Sequence, residues 1–292
     1  MTGNAMPSDD LNDSNSTPEA REGRGPDGLT EQELRRGRAE WWDDAFTALL
    51  LDAMPDGPFR LVDLGCGYGH AATTLLPAAP EAQYLGVDLD PVRAAACAEL
   101  IQPLGGRARV VAGSALALPM AADCAEVVLS VSTLMHIDDV PAALSEARRV
   151  LRPGGRLVAV EPDNRVQMFR FDGSLPGLDR AFSALFARLT SLGKPAHPEL
   201  GPQLPALLGA AGFDQVGFRV HMTQSAHAEP AETFLDRVSG VADVVAASAE
   251  LSEQEPTLLE CRQVLAQLRE QLAGHEGYSV HAVPSWRCVG VA

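Results

Sequence analysis

Strand-length apolar runs alternate with helical stretches between Phe59 and Glu161. Arg60-Leu61-Val62-Asp63-Leu64 is a short apolar run, interrupted by Gly65, Gly67 and Gly69 before the alanine-rich stretch Ala71 to Ala79. The unit then repeats. Tyr84 to Val87 reads as a second strand, Pro91 to Ile101 as a helix with proline in its first turn, and Arg109 to Ala112 as a third strand. Glu126 to Val131 reads as a fourth strand, Pro141 to Leu151 as a helix, and Gly155 to Val160 as a fifth strand. Alternation of this kind predicts an α/β fold, a doubly wound sheet covered by helices on both faces.

The flanks follow other patterns. Residues 1–28 carry Pro, Gly, Ser, Asn and Asp with few large apolar groups and are expected to form a loose tail, because too little surface is buried to offset ordering. Thr30 with Glu33 has capping-box spacing, and a helical segment over 29–58 is expected outside the core. Residues 59–161 form the expected cofactor-binding core, and 162–200, rich in Phe, Pro and Gly, a helical cap insertion. The core resumes over 201–222 with a helix at Leu204 to Ala211 and a strand at Val216 to Met222. Residues 223–279 form a second helical insertion, with helical spacing at Phe234, Val238 and Val241, and 280–292 carry the final strand, Trp286 to Val291.

Composition narrows the functional classes. Lys and Arg total 23 against 39 Asp and Glu, a formal charge of -16, which makes nucleic acid and acidic membranes poor partners. The cluster Arg35, Arg36 and Arg38 reads as a solvated face. No apolar run reaches the ~20 residues that cross a bilayer, and the first residues are polar, so a cytoplasmic chain is expected. The five cysteines, Cys66, Cys97, Cys124, Cys261 and Cys288, lie apart with no zinc-type spacing, so a reduced protein without a metal is expected.

The glycine loop carries the first chemical signal. Between a strand and a helix, Gly65, Gly67 and Gly69 allow a tight turn and close backbone approach to a ligand. A dinucleotide fingerprint would place glycine where this chain has His70, which weakens the NAD reading. Nineteen residues after Gly69, Asp88 stands at the end of the second strand, where a carboxylate reaches ribose hydroxyls.

Four segments in order, VDLGCGYG, GVDLD, VVAGSALALP and LRPGGRLVAVEP, resemble the successive motifs of class I S-adenosylmethionine-dependent methyltransferases, covering about Phe59 to Glu161. The resemblance implies a seven-stranded, mostly parallel Rossmann-like sheet whose final strand runs antiparallel beside the sixth. It implies S-adenosyl-L-methionine as cofactor, with Asp63, Gly65, Cys66 and Gly67 around its methionine end and Asp88 on the ribose. Leu89 would pack on adenine, Ser114 and Ala115 would meet the adenine edge, and Ser130 would complete the contact set. At the adenine edge the family often has Asp after the glycine; Ser114 is a weaker acceptor.

Methyl transfer from a sulfonium needs the acceptor held at attack distance and, where it carries a proton, a base. His136, just beyond the fourth strand, reads as that base or as a positioning residue. Glu161, ending the fifth strand, reads as a base, an anchor for an acceptor amine, or a capping group. His197, His221 and His227 read as solvated, and Tyr68 as a sulfonium cover or a packing residue. Met168, Phe169, Phe171, Phe182, Leu185, Phe186, Phe234 and Leu235 form either a cap core or an apolar acceptor pocket. Trp41 and Trp42 either close that pocket or anchor their helix. The expectation is a methyltransferase acting on oxygen or nitrogen of a small, fairly apolar metabolite. The alternatives are a carbon methyltransferase on a quinone or polyketide-like ring, and a protein that binds the cofactor without transferring methyl.

Overall fold

A computed structural model describes residues 41–172, 176–190, 192, 197–230, 235–236, 239–240, 242–243, 255–274 and 276–292. The expected tail, the capping box at Thr30 and Glu33, the arginine cluster, Phe234 and Val238 lie outside the described residues.

The strands are β1 (Arg60–Leu64), β2 (Gln83–Asp88), β3 (Ala108–Ala112), β4 (Ala125–Val131), β5 (Leu151–Pro162), β6 (Met168–Phe171), β7 (Asp214–Pro230) and β8 (Glu276–Val291). The helices are α1 (Asp44–Leu51), α2 (His70–Leu75), α3 (Pro91–Ile101), α4 (Val140–Val150), α5 (Pro176–Thr190), α6 (Leu204–Ala210) and α7 (Pro256–Gln271). One eight-stranded sheet runs β3-β2-β1-β4-β5-β8-β6, with β7 paired along β8. The first five strands pair in parallel, and β8 is antiparallel to β5, β6 and β7.

The sequence explains this arrangement locally. Every residue of β4 is buried, as a central strand covered on both faces requires. Asp90 caps α3 by accepting from Val92 N–H at 2.9 Å, and Pro91 fills the first helical position, where no N–H bond is lost. Two cores lie on opposite faces of the sheet. Phe46, Leu50, Leu75 and Ile101 from α1 to α3 pack with Leu61, Leu129 and Val158, while Leu144, Leu204 and Leu208 from α4 and α6 pack with Val62, Val128 and Leu157.

The structure corrects the expected strand count and the insertion boundaries. The first insertion opens with a strand, β6, which adds an eighth strand to the sheet. Both ends of the second insertion are also strand, because β7 and β8 pair continuously from Met222↔Pro284 to Pro230↔Glu276. Thr223 to Glu229 has no apolar alternation, so its strand conformation comes from the partner rather than from local pattern. A third core, made by Phe169, Phe182, Phe186, Leu258, Leu265 and Leu268, joins β6, α5 and α7. No helix among the described residues is long and apolar enough to cross a membrane.

Parallel pairing brings the ends of β1, β2, β4 and β5 to one edge. Strand order reverses between β1 and β4, and the crevice that such a reversal opens is where ligands bind in doubly wound sheets. Ser285 pairs with Pro162 and His221 with Ser285, so the middles of β7 and β8 reach the same edge.

Candidate active site at the carboxyl edge

Beyond Leu64 the chain turns across the end of β2. Gly65 and Cys66 both donate to the Val87 carbonyl, at 2.8 and 3.1 Å. Gly67 N–H donates to Asp88 Oδ2 at 2.8 Å, and Asp90 N–H donates to Asp88 Oδ1 at 2.9 Å. The Asp88 carboxylate is thus held in one orientation, with a lone pair remaining on each oxygen for a further donor. A side chain at Gly67 would meet nothing closer than 4.0 Å, so the backbone is open to a ligand there. Leu89, directly after Asp88, is 77% exposed, an apolar platform at the sheet edge. Gly113 N–H donates to the Asp88 carbonyl at 2.8 Å and draws the next segment alongside. Ser114 Oγ accepts from Leu116 N–H at 3.1 Å, and Ala115 packs on the core. Ser130, paired with Leu64, has a buried hydroxyl that makes no hydrogen bond among the described residues.

Asp63 and Cys66 lie beneath the loop. Asp63 is 2% exposed and accepts from the Tyr84 hydroxyl at 2.7 Å. Burial, together with the Asp63 charge, pushes the Tyr84 phenol well above its ordinary pKa and keeps it a donor. Cys66 shares a hydrogen bond with Cys97 of α3, and that bond with burial raises the Cys66 thiol pKa, so it stays protonated. Tyr68 lies 5.9 Å from the Arg93 guanidinium, a cation–π contact toward α3.

Gly65 is positioned from the opposite strand. Its φ of 69° is left-handed, and an added Cβ would stand 2.3 Å from the Thr133 side chain. Thr133 belongs to the turn after β4, whose backbone is gathered by Glu161. Oε1 of Glu161 accepts from Thr133 and Leu134 N–H at 3.0 and 2.8 Å, and Oε2 from Met135 N–H at 3.4 Å. Glu161 is wholly buried. His136 ends this turn with an exposed side chain. His197 N–H donates to the Met135 carbonyl at 3.0 Å and fastens the turn from outside.

A cleft opens beside the turn, lined by Trp41, Trp42, Phe46, Val131, Ser132, Val160, Thr223 and Ser285. Asp43 caps α1, accepting from Phe46 N–H at 2.7 Å. Arg287 ties the far end of the helix down, donating to the Leu49 carbonyl at 2.7 Å and to Asp52 at 3.1 Å. Trp42 stands edge-on to Phe46 at 5.1 Å and 6.5 Å from His70 at the start of α2. Ser132 adds a polar side chain to the lining, and the buried hydroxyls of Thr223 and Ser285 are 2.8 Å apart.

The predicted residues therefore separate. Asp88, Leu89, Gly65 and Gly67 meet at the edge, Glu161 lies under the turn, and His136 ends that turn with its side chain exposed. The cap phenylalanines pack on one another, Phe169 lying 5.0 Å from both Phe182 and Phe186, so they form a core rather than line the cleft. Trp41 and Trp42 do line it. Sequence reasoning missed Phe46, Thr223 and Ser285, and it left His221 to solvent; only the placement of β7 and β8 brings these together.

Comparisons with known proteins point to methyltransferases. Residues 62–159 match a family profile described as Methyltransferase domain. Over 169 residues the chain is 32% identical to a demethylmenaquinone methyltransferase of Thermus thermophilus, covering 55% of this chain and 77% of that one. A ubiquinone/menaquinone biosynthesis C-methyltransferase of Dinoroseobacter shibae is 29% identical over 196 residues, 61% of this chain and 74% of the relative. Among solved structures, the YcgJ protein of Bacillus subtilis superposes with a TM-score of 0.52 at 18% identity, covering 84% of this chain and 97% of that one, which speaks to the fold.

Proposed function

The chain belongs to the class I S-adenosylmethionine-dependent methyltransferases, and on that footing we propose that it methylates an oxygen or nitrogen of a small, fairly apolar metabolite. S-adenosylmethionine is its cofactor and supplies, when bound, a sulfonium-activated methyl group. The residues at the carboxyl edge fit that group: Asp88 for the ribose hydroxyls, Leu89 for the adenine face, and the open backbone at Gly67 for the rest of the molecule. Ser114 offers its hydroxyl at the adenine edge, and the unbonded Ser130 hydroxyl gains a partner. Asp63 and Cys66, at the start of the loop, would face the methionine end of the cofactor.

The observation that carries the acceptor reading is the cleft between Trp41, Trp42 and Phe46 on one side and the Thr223–Ser285 hydroxyl pair on the other. Aromatic walls favour a flat apolar body, and the hydroxyls of Ser132, Thr223 and Ser285 offer polar contacts that orient it. The test is S-adenosylhomocysteine formation over a panel of aromatic alcohols, amines and hydroquinones, with the methylated atom located by NMR. Methyl on oxygen or nitrogen is expected. Methyl on a ring carbon would support the second reading, which the names of the Thermus and Dinoroseobacter relatives favour. Turnover with none of them would overturn both.

Glu161 receives a positioning role. Its three backbone N–H partners hold Thr133 against Gly65 and so fix the floor of the crevice. Glu161→Gln presents an amide N–H₂ where only acceptors fit, and is expected to cost about 2 kcal/mol of unfolding free energy. Urea denaturation checks this, and unchanged stability would contradict the role.

A further inference from the structure

His221 is the titratable side chain the cleft places best. It lies opposite Ser285 in the β7–β8 register and two residues from Thr223, so the three side chains share one face of the sheet. Thr223 and Ser285 line the cleft, and the His221 ring is 5.7 Å from that of Phe46, which lines it too. The His221 side chain is only 17% exposed. Its Nε2 is buried with no hydrogen-bond partner among the described residues, and Asp43 Oδ1 stands 3.7 Å from it. A little-exposed histidine beside a carboxylate, on the sheet face that carries the two hydroxyls of the cleft and against one of its aromatic walls, is arranged for proton transfer.

We propose that His221, oriented by Asp43, takes the proton from the hydroxyl acceptor bound in this cleft. This rests on the cleft being the acceptor site. With Nε2 facing Asp43, the acceptor O–H proton passes to Nδ1, and the freed oxygen lone pair forms the new O–CH₃ bond. The methyl–sulfur bond breaks, its electron pair stays on sulfur as a neutral thioether, and the imidazolium returns its proton to water. Asp43 is a positioning residue that fixes the orientation of the ring. The other charged groups around the ring are engaged elsewhere. Arg219, on the same face of β7, approaches Asp52 at 3.9 Å, and Arg287 of β8 holds Asp52 and the Leu49 carbonyl. From α2, the His70 ring lies 6.5 Å from that of Trp42.

The test uses the full chain saturated with S-adenosylhomocysteine and 4-nitrophenol as probe, whose ionised form is read by absorbance without turnover. Wild type is expected to bind the probe and ionise it about one pH unit below its free value, a ~10-fold shift in the ionisation equilibrium. His221→Gln should bind the probe and lose the shift, with S-adenosylhomocysteine affinity unchanged as the check on folding. Asp43→Asn, which retains a helix-capping side chain, should lose part of it. Bound probe with no shift in wild type, or a shift that survives in His221→Gln, overturns the base role and leaves the cleft standing. No binding of the probe overturns the acceptor site itself, and the base role with it.

Discussion

Gly65→Ala is expected to weaken S-adenosylmethionine binding ~100-fold, from a left-handed backbone cost of about 1 kcal/mol and overpacking of about 1–3 kcal/mol. The first cost arises because φ at Gly65 is 69°. The second arises because the added Cβ would stand 2.3 Å from both Oγ1 and Cγ2 of Thr133. Thr133 cannot retreat without pulling on the turn that Glu161 holds, so the loop gives way instead, and Gly67 and Asp88 move with it. Thr133→Ala removes Oγ1 and Cγ2 but leaves its own Cβ 2.9 Å from the added methyl, so it should undo part of the second cost and none of the first. Gly65→Ala combined with Thr133→Ala is therefore expected to regain about tenfold, as 1.4 kcal/mol corresponds to a factor of ten. Calorimetric titration of the two single variants and the double variant measures this coupling, and simple additivity would show that Thr133 does not set the position of the loop.

Asp88→Ala is expected to reduce the same affinity ~30-fold, about 2 kcal/mol, through two losses with one origin. The charge-assisted bonds to the ribose disappear, and Gly67 and Asp90 lose the acceptor that orders their N–H groups. Asp88→Asn separates the two. An amide oxygen can still accept from Gly67 or Asp90, so the loop keeps part of its order while the charge is gone, and an intermediate affinity follows. Equal binding by wild type and both variants would place the nucleoside elsewhere.

Local signals and tertiary structure coincide in the first half of the chain, which is why that half reads directly from sequence. The bounds of β1 and α3 follow from an apolar run that ends in glycine and from a proline preceded by a capping aspartate. The position of Asp88 at the sheet edge follows from the same reasoning, since a strand's last residue must stand there. The direction of the Glu161 side chain does not. It depends on a turn almost thirty residues earlier folding beneath it, and a strand-ending carboxylate looks alike from sequence whether it faces the crevice or the turn. The extension of β7 beyond Met222 has no local signal, because small polar residues become strand only when β8 pairs with them. The cleft inherits this obscurity. Its walls come from α1 near the start of the described chain and from β7 and β8 near its end, and His221 with Asp43 is a pair that only the folded sheet brings together. The phenylalanines of the insertions fit either a cap core or an acceptor pocket by spacing, and they meet one another as a core, with the two tryptophans of the α1 region at the cleft.

The measurement that tests the central claim most directly is calorimetric titration of the full chain with S-adenosylmethionine, S-adenosylhomocysteine and NADH, repeated on Asp88→Ala. The account predicts saturable binding of the first two, none of NADH, and a marked loss in the variant. Tighter binding of NADH, or adenosyl binding untouched by the loss of Asp88, would contradict it.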